Sequence, residues 1–300
     1  MASDALRIER QTRDALTCWK IGLGDAELLV AEQGAQLLSY GRRGEKPLIW
    51  LSEEAAFQAG QSLRGGVPLC WPWFGDLSRN PAAVRDLHPD PAQAPFHGLV
   101  RNLPWQLEEI RSEDGAATLE FLTRPAEGLE GWPPGLLPRL SLRLDGRLSL
   151  TLSSHNAGSR SLALSQALHS YLPVGDIARA SIPALDGCRY LDTLDDWAER
   201  RQQGPVTFTG ETDRIYLDTP ALLELHDHAW GRRICLEARG SRSAIVWNPW
   251  IDKARRLSQF ADDAWQGMLC IETANVMDDA VELAPGETAA IGFSLWSEPL

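Results

Sequence analysis

Between Arg139 and Ser153 the chain reads RLSLRL and then RLSLTL on either side of Asp145-Gly146, so that Leu140, Leu142, Leu144, Leu148, Leu150 and Leu152 fall on alternate positions. A period of two places all six leucines on one side of a pleated strand pair, and Asp-Gly between two such runs signals a tight turn. The segment is predicted to be a hairpin with one buried face. Shorter runs of the same kind occur at 26–32, 35–40, 105–110, 117–123, 161–168, 234–238, 244–247, 268–274 and 289–295, set apart by Gly, Pro, Asp or Asn clusters. Many short strands at close spacing predict an all-β sandwich or barrel.

Helical signals are few. The best is 252–265 (DKARRLSQFADDAW), which has an acidic start and a mixed polar face and is predicted to be a short helical excursion between strands. The Pro- and Asp-rich stretch 76–95 is longer than an idle connection and reads as a surface lid or binding loop. No composition shift, internal repeat or low-complexity tract divides the chain, so residues 1–300 are expected to form one β-rich domain.

Composition narrows the partners. The chain has 300 residues, 44% of them hydrophobic, which suffices for a sizeable core and excludes general disorder. With 29 basic and 41 acidic residues the net charge is −12, which opposes broad attraction to nucleic acid or to an anionic membrane. No apolar run approaches the roughly 20 residues of a membrane helix, and the opening MASDALRIERQTRD lacks the pattern of a secretion signal. The expectation is a soluble, cytoplasmic protein with neither nucleic-acid nor membrane partners. Five cysteines (Cys18, Cys70, Cys188, Cys235 and Cys270) without CxxC spacing argue against a disulfide framework or zinc ribbon. Twelve Trp against four Tyr is an unusual balance, and several Trp stand beside Pro or Asn, as in Trp71-Pro72-Trp73, Pro104-Trp105 and Trp247-Asn248-Pro249-Trp250. Such indoles suit sugar C–H surfaces, and they equally suit core packing with a hydrogen-bonded N–H.

Nucleotide and serine-hydrolase chemistry find no support. There is no P-loop, HExxH or GxSxG, and Gly22-Leu23-Gly24 lacks the third glycine of a dinucleotide site. His226 and His228 share a strand face, but no third ligand accompanies them, so no metal is assigned. Three features rise higher. In the first, Arg64-Gly65-Gly66-Val67-Pro68 sets an arginine beside closely approaching backbone, and LCWPWFG follows as an apolar, proline-stiffened wall. The second is the turn His97-Gly98-Leu99-Val100-Arg101-Asn102. The third is a pair: His169 closes the apolar run LALSQAL, and Glu272 interrupts the run MLCI. A carboxylate in a buried strand must be paired, neutralised or used, so His169 and Glu272 are either catalytic or a structural hydrogen-bonded pair.

Taken together, RGGVPLCWPWFG (64–75), HGLVRNLPW (97–105), ALHSYLPVGDI (167–177), TDRIY (212–216), VWNPW (246–250) and CIETANV (270–276) resemble, in order, the hexose-6-phosphate mutarotases of the aldose 1-epimerase superfamily. The sequence departs from that pattern at Leu172, where many relatives carry an aromatic residue, and at Leu99-Val100; as wall positions these would bear on substrate preference. The resemblance implies a large antiparallel β-sandwich of the galactose mutarotase-like type with a few short helices, a shallow sugar cleft and no cofactor. It also implies that His169 is the general acid, that Glu272 is the general base, that Arg64 and Arg101 lie near a substrate phosphate, and that His97 and Asp213 line the sugar site.

The residue types suit that chemistry. Interconverting anomers requires a base for the C1 hydroxyl proton and an acid for the ring oxygen. A carboxylate and an imidazole held protonated by it are sufficient. The expected substrate is a hexose 6-phosphate, glucose 6-phosphate foremost. The alternatives are a mutarotase for unphosphorylated aldoses, which would need hydroxyl ligands in place of the arginines, and a non-catalytic carbohydrate-binding sandwich. Oligomeric state is left open, a monomer included.

Overall fold

The leucine hairpin forms as its alternation dictates, from strands Leu136–Leu144 and Leu148–Asn156, and all six leucines are buried. Each stabilises the fold by about 1.5–3 kcal/mol through burial. The computed structural model describes residues 5–125 and 129–300; the first four residues of the N-terminal stretch examined for a secretion signal lie outside them.

The hairpin sits within a nine-stranded sheet. Its order is Val206–Thr207, Ala180–Ile182, Leu222–Asp227, Arg232–Arg239, Thr288–Pro299, Leu148–Asn156, Leu136–Leu144, Ala116–Leu122 and Gln106–Glu113. Against it packs an eight-stranded sheet in which Ala198–Arg201, Arg189–Asp192, Thr212–Leu217, Ser243–Asn248, Met268–Asn275, Gln166–Leu168 and Leu69–Cys70 follow one another, while Tyr171–Pro173 also pairs with Met268–Asn275. The strand pairings in both sheets are antiparallel. Leu140, Leu150, Phe293, Val246, Leu269 and Ile271 share the core between them. The architecture is thus a large antiparallel sandwich with two short α-helices, Ala82–Arg85 and Trp250–Ala254, among the described residues.

Parity on the central strands decides what faces the cleft. Leu269 and Ile271 of Met268–Asn275 point into the inter-sheet core, whereas Met268, Cys270 and Ala274 belong to a second cluster with Ile215, Ile245, Trp247 and Tyr171. Glu272 has the parity of this second set. The sheet therefore delivers its carboxylate to the face away from the sandwich interior.

Several sequence expectations change. The run 161–168 divides at Ser165 into Leu162–Leu164, which pairs with Val281–Leu283, and Gln166–Leu168, which pairs with Met268–Asn275. Ser165 Oγ accepts from Phe74 N at 2.9 Å and donates to Asn80 Oδ1 at 2.5 Å, which fixes the break. The helix expected over 252–265 is confined to Trp250–Ala254 and a 3₁₀ turn at Ala264–Gly267. Between them Gln259 is left-handed, and its amide ties Ala56 N and Ser62 O, while buried Phe260 packs on Trp50 with ring centroids 5.4 Å apart. A continuous helix would forfeit these contacts. The four-stranded sheet formed by Arg7–Arg13, Leu16–Leu23, Ala26–Ala31 and Leu37–Arg42 begins with a strand that is nearly all exposed, so no alternation announced it.

Candidate active site

His169 and Glu272 form a cross-strand pair in an open stretch of ladder. Leu168 stands opposite Thr273, and Tyr171 opposite Cys270, in one unbroken register, so His169 falls opposite Glu272. Their side chains meet with Nε2 3.4 Å from Oε1. His169 is held from behind by its backbone N–H to Pro68 O at 3.0 Å, and Ile271 N donates to Ser170 O. His169 Nδ1 and Glu272 Oε2 are buried without a hydrogen-bond partner, an unusual cost for a structural pair and a ready one for a ligand.

The surrounding face is built in rows. Asp213 lies opposite Trp247, Trp247 opposite Cys270, and Cys270 opposite Tyr171. The next row runs Ile215, Ile245, Glu272. Tyr171 is two residues from His169 and therefore on the same face; the rings stack with centroids 4.8 Å apart and planes at 9°. Tyr171 Oη is 3.4 Å from Arg64 Nη1.

Two glycine-dependent turns bring in the remaining groups. Gly66 has φ +70°, and a Cβ there would lie 2.2 Å from Leu37 O, so only glycine lets the Arg64 loop pass so close to the neighbouring strand. Gly98 has φ +79° and would set a Cβ 2.1 Å from Trp71 O, where a parallel bridge joins the two segments. These turns place Arg64 and His97 beside His169, and the 3₁₀ turn Val100–Asn102 carries Arg101. His97 Nδ1 accepts Gly75 N–H at 3.0 Å, which fixes a neutral imidazole with Nε2–H as its remaining donor.

All six candidate residues, Arg64, His97, Arg101, His169, Asp213 and Glu272, line one cavity of about 660 Å³. Neither Arg64 nor Arg101 has a carboxylate within ion-pair distance among the described residues. Arg64 Nε is 3.4 Å from Ser258 O, and Arg101 Nη2 donates to Phe96 O at 2.5 Å. Lys253, by contrast, is compensated by Glu211 at 3.1 Å and Asp213 at 3.8 Å.

Burial and charge set the protonation of the pair. Burial, then the guanidiniums of Arg101 and Arg64, push His169 down to about 3. Burial, then Asp213, holds the Glu272 carboxyl well above its usual range. Burial also depresses His97 and raises Asp213. Both directions favour the neutral imidazole and the protonated carboxyl, opposite to the protonated imidazole expected from the sequence.

Other expectations are corrected as well. Trp71 and Trp73 are fully buried, with indole N–H groups bonded to Ser154 Oγ and Pro95 O, so of LCWPWFG only Phe74 and Gly75 reach the cleft. Leu172 and Val100 are core residues and Leu99 packs beneath the long loop, so none of the three is a wall residue. The long loop is pinned through Asn80 and buried Leu77 and Val84, and it gives Asp76, Arg79 and Asn80 to the cavity. Trp247, one of the indoles beside Asn or Pro that suit a sugar surface, lines the cavity; sequence reasoning did not single out Tyr171, Trp197 or Lys253 as lining residues, and for Tyr171 the i, i+2 relation to His169 was the available signal. His97, Trp197, Gln259 and Met277 all line the cavity with φ of +54° to +66°, strain of about 1–3 kcal/mol each that the surrounding packing must hold. His226 lies on the strand Leu222–Asp227 of the other sheet and His228 in the turn after it, so they do not share a strand face as expected, and their rings are 6.2 Å apart; no group of three or more potential metal ligands occurs among the described residues.

The chain belongs to the aldose 1-epimerase family, whose profile matches residues 18–296, and it is an isomerase of the mutarotase class. It is 34% identical over 269 residues, 89% of this chain and 86% of the relative, to an Escherichia coli K12 protein provisionally named glucose-6-phosphate 1-epimerase. A plant relative from Cenchrus ciliaris with the same provisional name is 31% identical over 265 residues, 85% of this chain and 76% of its own. A Salmonella typhimurium crystal structure described provisionally as a mutarotase superposes with a TM-score of 0.87 at 28% identity, covering 100% of this chain and 97% of that one. No helix among the described residues is long and apolar enough to cross a membrane.

Proposed function

We propose that the protein interconverts the α and β anomers of hexose 6-phosphates, glucose 6-phosphate foremost, by acid–base ring opening and closure. The observation that carries the phosphate is the pair of arginines in the cleft that have no carboxylate partner among the described residues, in a chain whose net charge is −12. Guanidiniums meet phosphate oxygens by charge-assisted, bidentate hydrogen bonds. The names of the bacterial and plant relatives point the same way.

The reaction needs its acid and base side by side, because the hydroxyl oxygen to be deprotonated and the ring oxygen to be protonated share C1. A cross-strand pair at 3.4 Å supplies that adjacency. In the ionised form of the pair, Glu272 takes the O1 proton, the O1–H electrons form the C1 carbonyl, the C1–O5 bond breaks, and O5 receives the proton of His169. The pair is then neutral. After rotation about C1–C2 the alcohol attacks the other carbonyl face, His169 recovers its proton, and Glu272 returns one to O1. His97 Nε2–H and the Asp213 carboxyl serve the sugar hydroxyls. The enzyme's own part is confined to proton transfer, while the C1–O5 bond breaks and re-forms within the sugar.

Two-dimensional exchange NMR on glucose 6-phosphate and on glucose, with and without enzyme, reads the interconversion directly. Faster exchange on the phosphate is expected. A higher kcat/KM on glucose would select the free-aldose reading.

A further inference from the structure

One path of side chains joins the arginine end of the cleft to the acid–base pair. Arg64 Nη1 is 3.4 Å from Tyr171 Oη, Tyr171 lies flat on His169 at 4.8 Å, and His169 Nε2 is 3.4 Å from Glu272 Oε1. The charges along this path are ordered. Arg64 and Arg101 act on His169, while Asp213 is the charged group that acts on Glu272. Ionising the pair therefore sets its cation toward the guanidiniums and its anion toward a carboxylate, so both ends oppose it. The other groups around His169 do not relieve this. His97, edge-on at 5.5 Å, is neutral, Trp247 presents an uncharged edge at 6.3 Å, and burial keeps the Cys270 thiol protonated. Lys253 stands beside Asp213, where its charge is already shared with Glu211.

We propose that an anionic group seated on Arg64 and Arg101 activates the reaction as well as anchoring the substrate: it cancels the positive end of the path and draws the shared proton from Glu272 to His169. This rests on the hexose 6-phosphate reading. Tyr171 is the positioning residue. Its buried ring fills the space between guanidinium and imidazole and keeps water from screening the two, and its hydroxyl holds the guanidinium in line. The phosphate then prepares the enzyme for ring opening, and a free sugar meets a pair that is mostly in the wrong tautomer.

The test separates kcat from KM. A change of one unit in imidazole basicity changes the ionised fraction tenfold while that fraction is small, so kcat on glucose 6-phosphate is expected to exceed kcat on saturating glucose by about tenfold or more. Phosphite dianion added to glucose is expected to accelerate its turnover. Equal kcat values, with the whole preference in KM, overturn activation and leave the substrate reading standing, as does phosphite that inhibits glucose 6-phosphate turnover without accelerating glucose. Absence of any preference in kcat/KM overturns the substrate reading itself. Tyr171→Phe keeps the stacked ring and removes the hydroxyl, and it is expected to narrow the ratio of the two kcat values toward one. Equal losses on both sugars would reduce Tyr171 to a packing residue and overturn its assigned role.

Discussion

His169 and Glu272 stand opposite each other on neighbouring antiparallel segments, and their side chains meet at 3.4 Å where the backbone ladder between them is open. The His169 N–H points away from Glu272 and continues the Leu168–Leu69 register on the other side. Here Pro68 O takes the His169 N–H, and the imidazole is free to lie over Tyr171.

Glu272→Gln is expected to lower catalysed anomer exchange by about 10²–10⁴-fold, since the amide is nearly isosteric and accepts no proton. The same variant is expected to be more stable at pH 7. The folded-state carboxyl titrates above its usual value, so the native protein keeps a proton that the unfolded chain releases as pH rises past about 4.5, and this lowers wild-type stability. The gain should vanish near pH 4, where both states hold the proton. Thermal melts of the two proteins at both pH values check this, with roughly 2–4 °C expected per kcal/mol. A gain that is equal at both pH values would refute the assigned direction.

What the sequence disclosed follows from where periodicity exists. The leucine hairpin was legible because alternation is strict there, and Glu272 was conspicuous because it is a charge inside an apolar run. The facing of His169 and Glu272 depends on the register between segments about a hundred residues apart, which is fixed only when the sheet assembles. Trp71 and Trp73 were read as wall because an irregular segment has no period to tell inside from outside. Leu172 was misplaced for want of one fact, the face of Tyr171; adjacent strand residues point opposite ways, so Tyr171 at the cleft buries Leu172. Trp197 comes from a turn and Lys253 from a five-residue helix, and no local pattern records where either is carried.

Gly66→Ala tests the turn that presents Arg64. A Cβ at φ +70° and 2.2 Å from Leu37 O requires the backbone to move, so a loss of about 2 kcal/mol or more is expected in denaturant melts. Because Tyr171 N bonds Gly66 O at 3.0 Å, the shift should also loosen the Tyr171–His169 stack and lower kcat. Wild-type stability and activity together would show that the loop relaxes freely.

Arg64→Ala and Arg101→Ala are each expected to remove a charge-assisted contact worth about 1.5–3 kcal/mol, roughly 10- to 150-fold in the kcat/KM ratio between glucose 6-phosphate and glucose. Both guanidiniums also disfavour protonation of His169, so neither replacement should harm the imidazole. Steady-state kinetics on the two sugars give the ratio directly. Equal damage to both substrates would make the arginines supports of the cleft.

The pH profile follows from the shared proton. In either tautomer the pair holds one proton, so the tautomer ratio does not depend on pH, and activity is limited only by adding a second proton or removing the first. The second joins His169, which burial and the guanidiniums of Arg101 and Arg64 hold down to about 3. The first leaves Glu272, whose carboxyl burial and Asp213 push well above 4.5. The acid limit thus lies below the ordinary carboxylate value of 4.5 and the alkaline limit above it, so kcat/KM is expected to show no limb at 4.5. The acid limb should fall near pH 3, and the alkaline limb should mark the carboxyl. Initial rates of anomer exchange, corrected for the uncatalysed reaction at each pH, give the profile. An acid limb with its midpoint near 4.5 would mean a carboxyl of ordinary acidity that is ionised in the active form, and the neutral resting pair would have to be abandoned.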